Sequence, residues 1–441
     1  MPDARLAALT FLEKCRRADA WSDAVLGSVM DSAALEGRDR GLCTAICYGV
    51  MQNKILLDHS IGKFSSVKVN KLEPKVLDIL RISAYQLLFM DRIPVSAAVN
   101  EGVKLTKKLG YMRASGLVNA VLRKISANKD ALLNPAGKSP AETLSLRWSH
   151  PLPLVEYFIS RLGVEESERL LACHNGDVPI TLQLNTAKTD RDSLLVRFAE
   201  RGIEARAHEH LPGCIVLGNT GAVSALPGFA EGEFYVQDCA AFMAVLAAQP
   251  NEGEKILDVC SAPGGKSFAA AVLAGGKVDI TSCDIHENKL KRIRESADRL
   301  GIEGLKTLAA DGRKFIPEFE GDFDLVIADV PCSGLGVIRK KPDIRYKNTA
   351  DFEALPSIQL DILRNVSRYV RPGGRLLYST CTVRDEENEA LVKAFLAENE
   401  DFTAEDFILP GVGNSENGTM QLWPQRHGTD GFFIAKLRRR T

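Results

Sequence analysis

The sequence has no long apolar run and few aromatic residues. None of its uninterrupted apolar stretches reaches the roughly 18 residues that a membrane-spanning helix needs, and no basic start with an apolar core and a cleavage site opens the chain. Aromatic residues make up 7% of the 441 positions and charged residues 26%, which is ordinary for a globular protein. We therefore expect a cytoplasmic chain with no membrane partner.

Cysteine pairs with the spacing of a metal or disulfide module are also missing. The ten cysteines include no Cys-x-x-Cys, so neither a zinc ribbon nor a disulfide framework is predicted, and most should be small buried residues. His208 and His210, with Cys173 and His174, are the remaining candidates for a metal site. Their spacing fits no zinc module, so no metal is predicted.

The chain has almost no net charge, at −1, but its charge is unevenly distributed. Residues 61–126 carry 12 Lys and Arg against 4 Asp and Glu. A basic segment of this kind can bind a polyanion, although charge alone fits a solvated helical surface equally well.

Length predicts several domains, and the first is helical. From residue 4 to about 130 apolar residues recur three and four apart, as in Val76–Leu88, with a break around Asp91–Val95 before the next helix. Residues 127–140 carry turn formers and predict a linker. We expect an all-helical domain over residues 1–130.

A small α+β unit is predicted over residues 141–235. A helix is expected near 152–173 and another over Arg191–Arg201, with strands at Ile180–Asn185 and Cys214–Leu217. Trp148, Ser149 and His150 precede Pro151 near the start of this unit; packing at the start of a helix accounts for them better than RNA contact.

Residues 236–441 alternate strands with helices, which predicts a doubly wound, mostly parallel α/β sheet. The terminal Arg438, Arg439 and Arg440 are predicted to form a disordered end. The expected strands lie at 255–260, 278–284, 305–310, 323–329, 374–380 and 431–437.

A small-residue loop follows the first of these strands. Ligands of open α/β sheets bind at the carboxyl ends of strands, where bare backbone amides let a cofactor approach closely. A Walker A loop would need glycine at Cys260, and a dinucleotide fingerprint would need a third glycine after Gly264 and Gly265, so both readings are disfavoured. The predicted cofactor loop is Cys260, Ser261, Ala262, Pro263, Gly264, Gly265 and Lys266.

Two carboxylates follow the next strands. Asp284 ends a strand twenty residues after Gly264, where a carboxylate can accept hydrogen bonds from both hydroxyls of a ribose. It could equally cap the helix beginning near Glu287. Asp311 could contact an adenine or lie in a solvated turn.

Two cysteines follow two further strands. Cys332 lies in the run Asp329–Gly334 and Cys381 in Ser379–Thr382, so both thiols should lie on the cofactor edge, although a single strand-end cysteine is more often a packed residue. A thiol with a pKa of about 8.5 must be activated before it attacks carbon, and Lys266 is a candidate for that task.

Taken together, these motifs resemble those of the S-adenosylmethionine-dependent RNA cytosine-C5 methyltransferases. The chain is similar to their Sun/Fmu type, the methyltransferase B type of small-subunit ribosomal RNA enzymes, which carries an N-terminal NusB-like domain. Ser261 and Val330 stand where that family usually has alanine. The segments that carry the resemblance are the cofactor loop, Asp329–Gly334, Gly336–Arg345, Tyr378–Thr382, Glu386–Asn388, and, for NusB, Ile82–Leu88, Val99–Glu101 and Leu117–Leu122.

The resemblance implies a NusB-like domain, a small α+β unit and a Rossmann-like class I methyltransferase domain. It implies S-adenosylmethionine as cofactor, bound by the loop with Asp284, Asp311 and Asp329. Cys381 would be the nucleophile that adds to cytosine C6, Cys332 would act in its release, and Asp329 would stabilise charge on the ring if protonated. The expected substrate is a cytosine in 16S ribosomal RNA before full subunit assembly, and the enzyme is expected to be a monomer.

Two expectations remain beside this one. Four basic residues follow the turn at Pro331 and Cys332, called the Pro-Cys turn below. They are predicted to hold phosphates around the target base: Arg339, Lys340, Lys341 and Arg345. The alternative to catalysis is a silent RNA-binding assembly or antitermination factor, because a fold by itself does not fix a function.

Overall fold

The structure, a computed structural model, describes residues 3–18, 22–218 and 220–441, which form two compact units. One unit contains Met1–Gly176 together with Ile338–Lys347; the other contains Asp177–Val337 and Asn348–Thr441. The three domain ranges expected from the sequence stay predictions. Across the described ranges, no helix has the length and apolar character to cross a membrane.

The first unit is helical, as predicted. Its core is lined by the apolar faces of amphipathic helices, with Ile79, Leu80 and Leu122 fully buried. The expected break is confirmed, since one helix ends at Phe89 and the next begins at Val95, after Pro94. The helices α1–α11 are Ala4–Ala18, Ser22–Ser32, Gly37–Gln52, Lys54–Phe64, Pro74–Phe89, Val95–Lys108, Ser115–Ala127, Lys129–Leu133, Pro140–Trp148, Leu152–Leu162 and Val164–His174.

Two local expectations in this unit need correction. The helix predicted over 152–173 is two helices, α10 and α11, because Gly163 takes a φ of +78° that ends one helix before the other starts. The predicted linker at 127–140 contains the short helix α8.

The second unit begins with a small antiparallel sheet. Strands β1 (Ile180–Leu184), β2 (Ala205–Ala207), β3 (Cys214–Leu217) and β4 (Phe234–Val236) are arranged in the order β2-β3-β1-β4. Helix α12 (Arg191–Glu200) packs on this sheet through Leu194 and Phe198. The α+β character predicted for this region is confirmed.

The large sheet of this unit has eight strands. Its order is β10-β14-β9-β8-β5-β6-β7, with β13 paired to β14; the five strands from β5 to β9 are parallel, and β10, β13 and β14 run antiparallel to their neighbours. Strands β11 and β12 pair with each other in a separate two-stranded sheet. The elements of this part of the unit are α13 (Cys239–Ala248), β5 (Lys255–Asp258), α14 (Gly265–Leu273), β6 (Asp279–Asp284), α15 (Glu287–Leu300), β7 (Leu305–Ala309), β8 (Phe323–Asp329), α16 (Leu355–Ser367), β9 (Val370–Thr380), α17 (Glu389–Glu398), β10 (Phe402–Ala404), β11 (Ile408–Leu409), β12 (Gly413–Asn414), β13 (Thr419–Leu422), α18 (Pro424–His427) and β14 (Phe432–Arg439).

This strand order places a ligand crevice. Within the sheet, β6 and β7 lie on one side of β5, and the chain then returns to place β8 and β9 on the other side of β5. The strand order therefore reverses between β5 and β8, and ligands of open α/β sheets bind at the carboxyl ends of the strands at such a point.

The predicted disordered end is wrong. Arg438 pairs with Arg375 of β9, and Arg439 pairs with Phe402 of β10. Arg439 also forms an ion pair with Asp401 at 3.0 Å. Backbone pairing on both sides fixes this segment as a strand between β9 and β10.

Candidate functional site

Two thiols meet where β8 and β9 end. The strands are parallel neighbours with Asp329 opposite Ser379, so the turns that follow them leave the same edge of the sheet. The Sγ atoms of Cys332 and Cys381 lie 3.2 Å apart. The structure therefore brings together the two cysteines singled out in the sequence.

The two thiols differ in their electrostatic surroundings. The pKa of Cys332 is raised well above its usual value, first by its hydrogen bond with Cys381 and then by burial, with the charges of Glu387 and Asp329 acting in the same direction. Cys332 is therefore the partner that keeps its proton. A protonated Cys332 can donate a hydrogen bond to the Cys381 sulfur across this distance.

A buried carboxylate holds the Pro-Cys turn. Glu387 is fully buried, and its Oε2 accepts hydrogen bonds from the Ser333 amide and from Gln359 Nε2, each at 2.9 Å. Gln359 Nε2 also donates to the Pro331 carbonyl at 2.9 Å, and Arg384 pairs with Glu387 Oε1 at 3.4 Å. Several charge-assisted bonds thus fix the backbone beside Cys332.

Asn388 holds the second turn in the same way. Its Nδ2 donates to the Thr382 carbonyl at 3.1 Å, and its Oδ1 accepts from Thr380 Oγ1 at 2.6 Å. The carbonyl of Cys381 itself accepts from the Gly336 amide at 3.0 Å. Cys381 is therefore held through the residues on both sides of it.

An ion pair lies at the head of the Pro-Cys motif. Lys266 Nζ is 2.6 Å from Asp329 Oδ2, and Ser379 Oγ donates to Asp329 Oδ1 at 2.8 Å. The Lys266 side chain is 9% exposed and that of Asp329 30%, so the carboxylate retains a face open to a ligand. Lys266, expected to activate a thiol, instead contacts Asp329.

The predicted cofactor loop connects β5 to the start of α14. Ser261 is fixed by the Cys283 carbonyl, which accepts from its amide at 2.8 Å and its hydroxyl at 2.9 Å. Gly264 has a φ of +106°, and a Cβ there would lie 2.6 Å from the Phe268 ring, so glycine is required. No side chain caps α14, which leaves its first amides available to an anion.

The two further carboxylates lie along the same edge. Asp284 ends β6, is buried, and accepts from the His286 amide at 2.9 Å, with Lys289 Nζ at 3.6 Å. Asp311 follows β7, and Arg313 binds both its oxygens. Hydrogen bonds from Arg313 lower the pKa of Asp311. The strand order thus places Asp329, the loop, Asp284 and Asp311 in sequence across the sheet edge.

Comparison with known proteins decides the family. The model for the 16S rRNA methyltransferase RsmB/F matches residues 244–438, that of the NusB family matches 2–127, and that of a ferredoxin-like domain of RsmF/B-like methyltransferases matches 150–224. A probable ribosomal RNA small subunit methyltransferase B of Bacillus subtilis is 37% identical, covering 98% of each chain. The chain belongs to the RsmB/F family of 16S rRNA methyltransferases.

Other relatives agree with this assignment. A probable ribosomal RNA small subunit methyltransferase B of Synechocystis is 34% identical over the whole of both chains. The crystal structure of PH0851 is 27% identical, with a TM-score of 0.81, and covers 100% of this chain and 99% of its own. The NusB-like, middle and methyltransferase regions expected from the sequence are confirmed.

The RsmB/F family uses S-adenosylmethionine, and the residues of this chain fit that cofactor. The uncapped amides at the start of α14 suit the carboxylate of its amino-acid part. Asp284 would suit the ribose hydroxyls, and Asp311, one strand further along the sheet edge, would suit the adenine. These assignments to individual residues, the cytoplasmic location and the monomeric state stay predictions.

The expectation that Arg339 and Arg345 hold RNA phosphates is wrong. Arg345 belongs to the first unit, is 2% exposed, and donates to the Gln52 carbonyl at 3.0 Å and to Asn175 Oδ1 at 2.8 Å. Arg339 is likewise buried. Guanidinium groups inside a helical core cannot reach a phosphate. For Lys340 and Lys341 the phosphate role stays a prediction.

Packing accounts for Ser149 and His150, as expected. Ser149 Oγ accepts from the Ile55 amide at 2.7 Å at the start of α4, and His150 Nε2 lies 3.1 Å from His174 Nδ1. Burial holds the pKa of both histidines well below the usual value. Throughout the described ranges, no group of three His, Cys, Asp or Glu side chains could hold a metal ion.

Sequence reasoning missed Asp258, which lies beneath the cofactor loop. It ends β5, is fully buried, and accepts from Ser267 Oγ at 2.7 Å through Oδ2, while Oδ1 has no partner. Burial raises the pKa of Asp258 to about 7. An acidic residue at the end of an apolar strand was the signal for it. Glu387 lies in the segment Glu386–Asn388, to which the sequence assigned no role, and nothing in the sequence singles out Gln359.

The raised pKa of Asp258 gives a stability prediction. An unfolded aspartate has a pKa of about 3.9, so the favourable contribution of the protonated side chain is complete below pH 4 and is lost as pH rises through about 7. The free energy of unfolding of Asp258→Asn, relative to that of the natural chain, should therefore rise by roughly 3 kcal/mol between pH 5 and pH 7.5. Urea unfolding at both pH values measures this difference.

The exposed Asp351 provides the control, because Asp351→Asn should show no such change with pH. A stability difference between Asp258→Asn and the natural chain that stays constant over this pH range would contradict the assignment.

Proposed function

We propose that this chain methylates carbon 5 of a cytosine in 16S ribosomal RNA, with Cys381 bonded transiently to carbon 6. One observation carries the proposal: the Cys381 and Cys332 sulfurs lie 3.2 Å apart at the ends of β8 and β9, beside Asp329 and on the edge of the cofactor loop. Two cooperating thiols at a cofactor site suit a reaction that makes and then breaks a carbon–sulfur bond.

The chemistry requires a nucleophilic thiolate. Carbon 5 of cytosine is a poor nucleophile, and addition of a thiolate to carbon 6 converts the ring into an enamine that can attack an electrophile. S-adenosylmethionine, when bound, supplies an electrophilic methyl group. The thiol of Cys332 lies 3.2 Å from the Cys381 sulfur and can donate a hydrogen bond to it before attack. The same hydrogen bond can form again when Cys381 leaves as a thiolate, after carbon 5 has lost its proton to a base.

Asp329 supports recognition of cytosine. Its carboxylate is held by Lys266 and Ser379 and has a partly exposed face. A carboxylate accepts hydrogen bonds, so it suits the exocyclic amine of cytosine and repels the corresponding carbonyl oxygen of uracil. Lys266 acts here by orienting Asp329 and neutralising its charge.

The substrate must present an accessible base. A stacked, paired cytosine exposes neither ring face, so the target has to be unpaired or flipped out of its helix. We therefore expect free 16S ribosomal RNA to be a better substrate than the assembled small subunit, in which the target can be covered.

The product of the reaction tests this proposal. With methyl-labelled S-adenosylmethionine and protein-free 16S ribosomal RNA, the label should co-migrate with 5-methylcytidine after digestion to nucleosides. Intact small subunits, as the matched substrate, should take up at least about tenfold less label, because a tenfold rate difference needs only about 1.4 kcal/mol of added barrier. Label in any nucleoside other than 5-methylcytidine would overturn the proposed chemistry.

A further inference from the structure

A second pair of thiols lies in the same unit, and the proposed methyl transfer makes no use of it. Cys214 lies on β3, and Cys239 is the first residue of α13. Their Sγ atoms are 3.6 Å apart, and the residues are 0% and 3% exposed. A disulfide needs about 2.05 Å between sulfurs, so a side-chain shift of less than two ångströms would allow the bond.

His208 is positioned to activate Cys239. Its Nδ1 accepts from the amides of His210 at 3.2 Å and Leu211 at 3.3 Å, so the proton of the neutral ring lies on Nε2. Its interaction with Cys239 is the largest cause that raises the pKa of His208, and the ring is only half-buried, whereas Cys239 is buried. The N-terminus of α13 adds a further preference for a thiolate at Cys239.

The charged groups around the pair assign a role to each thiol. Hydrogen bonds from Cys214 and then from His208 lower the pKa of Cys239, against the effects of burial and of Asp238. Cys214 keeps its proton and accepts from Gln183 Nε2 at 3.6 Å. Cys239 is thus the nucleophile that reacts first, and Cys214 is the resolving thiol that then attacks Cys239.

We propose that Cys214 and Cys239 are a peroxide-sensitive dithiol that closes to a disulfide in the folded protein. The thiolate of Cys239 attacks one oxygen of hydrogen peroxide, the O–O bond breaks, and the released hydroxide takes a proton to form water. The sulfur of Cys214 then displaces hydroxide from the sulfenic acid on Cys239, and that hydroxide takes the Cys214 proton. Two thiols and one peroxide give one disulfide and two waters.

The chain contains a matched pair for comparison. Cys43 and Cys47 are both fully buried, with sulfurs 3.9 Å apart, but they are one turn apart on the single helix α3. Neither cysteine is the first residue of a helix, so neither lies at a helix N-terminus of the kind that favours a thiolate at Cys239. This pair should stay reduced under conditions that oxidise Cys214 and Cys239.

Peptide mapping of the full chain tests the proposal. After hydrogen peroxide, the protein is denatured, its free thiols are alkylated with iodoacetamide, and a glutamyl endopeptidase cuts at Glu231 and Glu233, between the two cysteines. Mass spectrometry should find the peptides of Cys214 and Cys239 joined, with two hydrogens lost, and separated again by dithiothreitol. Cys43 and Cys47 should be alkylated.

Two variants sharpen the result. His208→Gln should slow disulfide formation about tenfold at pH 7, because the thiolate of Cys239 loses a donor, and Cys239→Ser should remove the joined peptide. Alkylation of both Cys214 and Cys239 after peroxide has oxidised Cys332 and Cys381 would overturn the proposal. An unchanged rate in His208→Gln would overturn the role of the histidine.

Discussion

Cys381→Ala is expected to lose methyl transfer to 16S ribosomal RNA by a factor of about 10⁴ or more, the size of loss seen when a nucleophile is removed. Cys332 cannot substitute for it. Its sulfur lies 3.2 Å from that of Cys381, but once the Cys381 hydrogen bond is lost, burial and the charges of Glu387 and Asp329 still raise its pKa, so its thiolate stays scarce. Single-turnover transfer from labelled S-adenosylmethionine measures the loss.

The controls separate chemistry from folding. S-adenosylmethionine should bind Cys381→Ala as it binds the natural chain, as measured by calorimetry, because the cofactor loop and Asp284 are untouched. Cys15→Ala, which removes a partly buried thiol from the helical unit, should retain transfer. Transfer by Cys381→Ala within tenfold of the natural rate would rule out Cys381 as the nucleophile.

The sequence predicted which sheet edge carries the two thiols, because that edge is built from local patterns. The strand Phe323–Asp329 contains the apolar run Leu325–Ala328, which is fully buried, as expected of a parallel strand covered on both faces. The residue after such a strand falls on one known edge of the sheet. Cys332 and Cys381 could therefore be placed together from their positions at two strand ends, without knowledge of any side-chain contact.

Arg345 shows where local pattern fails. It follows basic residues in a Pro-containing loop, which is typical of a solvated surface. In the structure it is buried and donates to the carbonyl of Gln52, 293 positions earlier. The groups that make its burial possible are backbone carbonyls and an amide, which carry no signature in the sequence. Only the tertiary fold identifies such partners.

Asp258 and Glu387 show a related limit. Both are carboxylates inside the second unit, and a carboxylate is predicted to be exposed unless its partners are known. Glu387 is satisfied by the Ser333 amide and Gln359, whereas Asp258 retains an oxygen without a partner and a raised pKa. Sequence gives the residue type, but only packing determines the protonation state.

Cys332→Ala is expected to have the opposite effect to Cys381→Ala, accumulating a covalent complex with RNA. Attack by Cys381 remains possible, but the leaving thiolate loses the hydrogen bond that spans 3.2 Å in the natural chain. Release then becomes slower than addition, so the intermediate persists. With labelled 16S ribosomal RNA and S-adenosylmethionine, denaturing electrophoresis should show a slowly migrating band that the natural chain lacks.

The double variant Cys332→Ala/Cys381→Ala identifies the sulfur in that band. If Cys381 bonds the base, the band disappears when both thiols are removed and is absent from Cys381→Ala alone. A stable complex in Cys381→Ala that needs Cys332 would reverse the roles of the two thiols. The raised pKa of Cys332 and the turn contacts of Glu387 argue for the first outcome, because they hold Cys332 as a proton-bearing neighbour of the attacking sulfur.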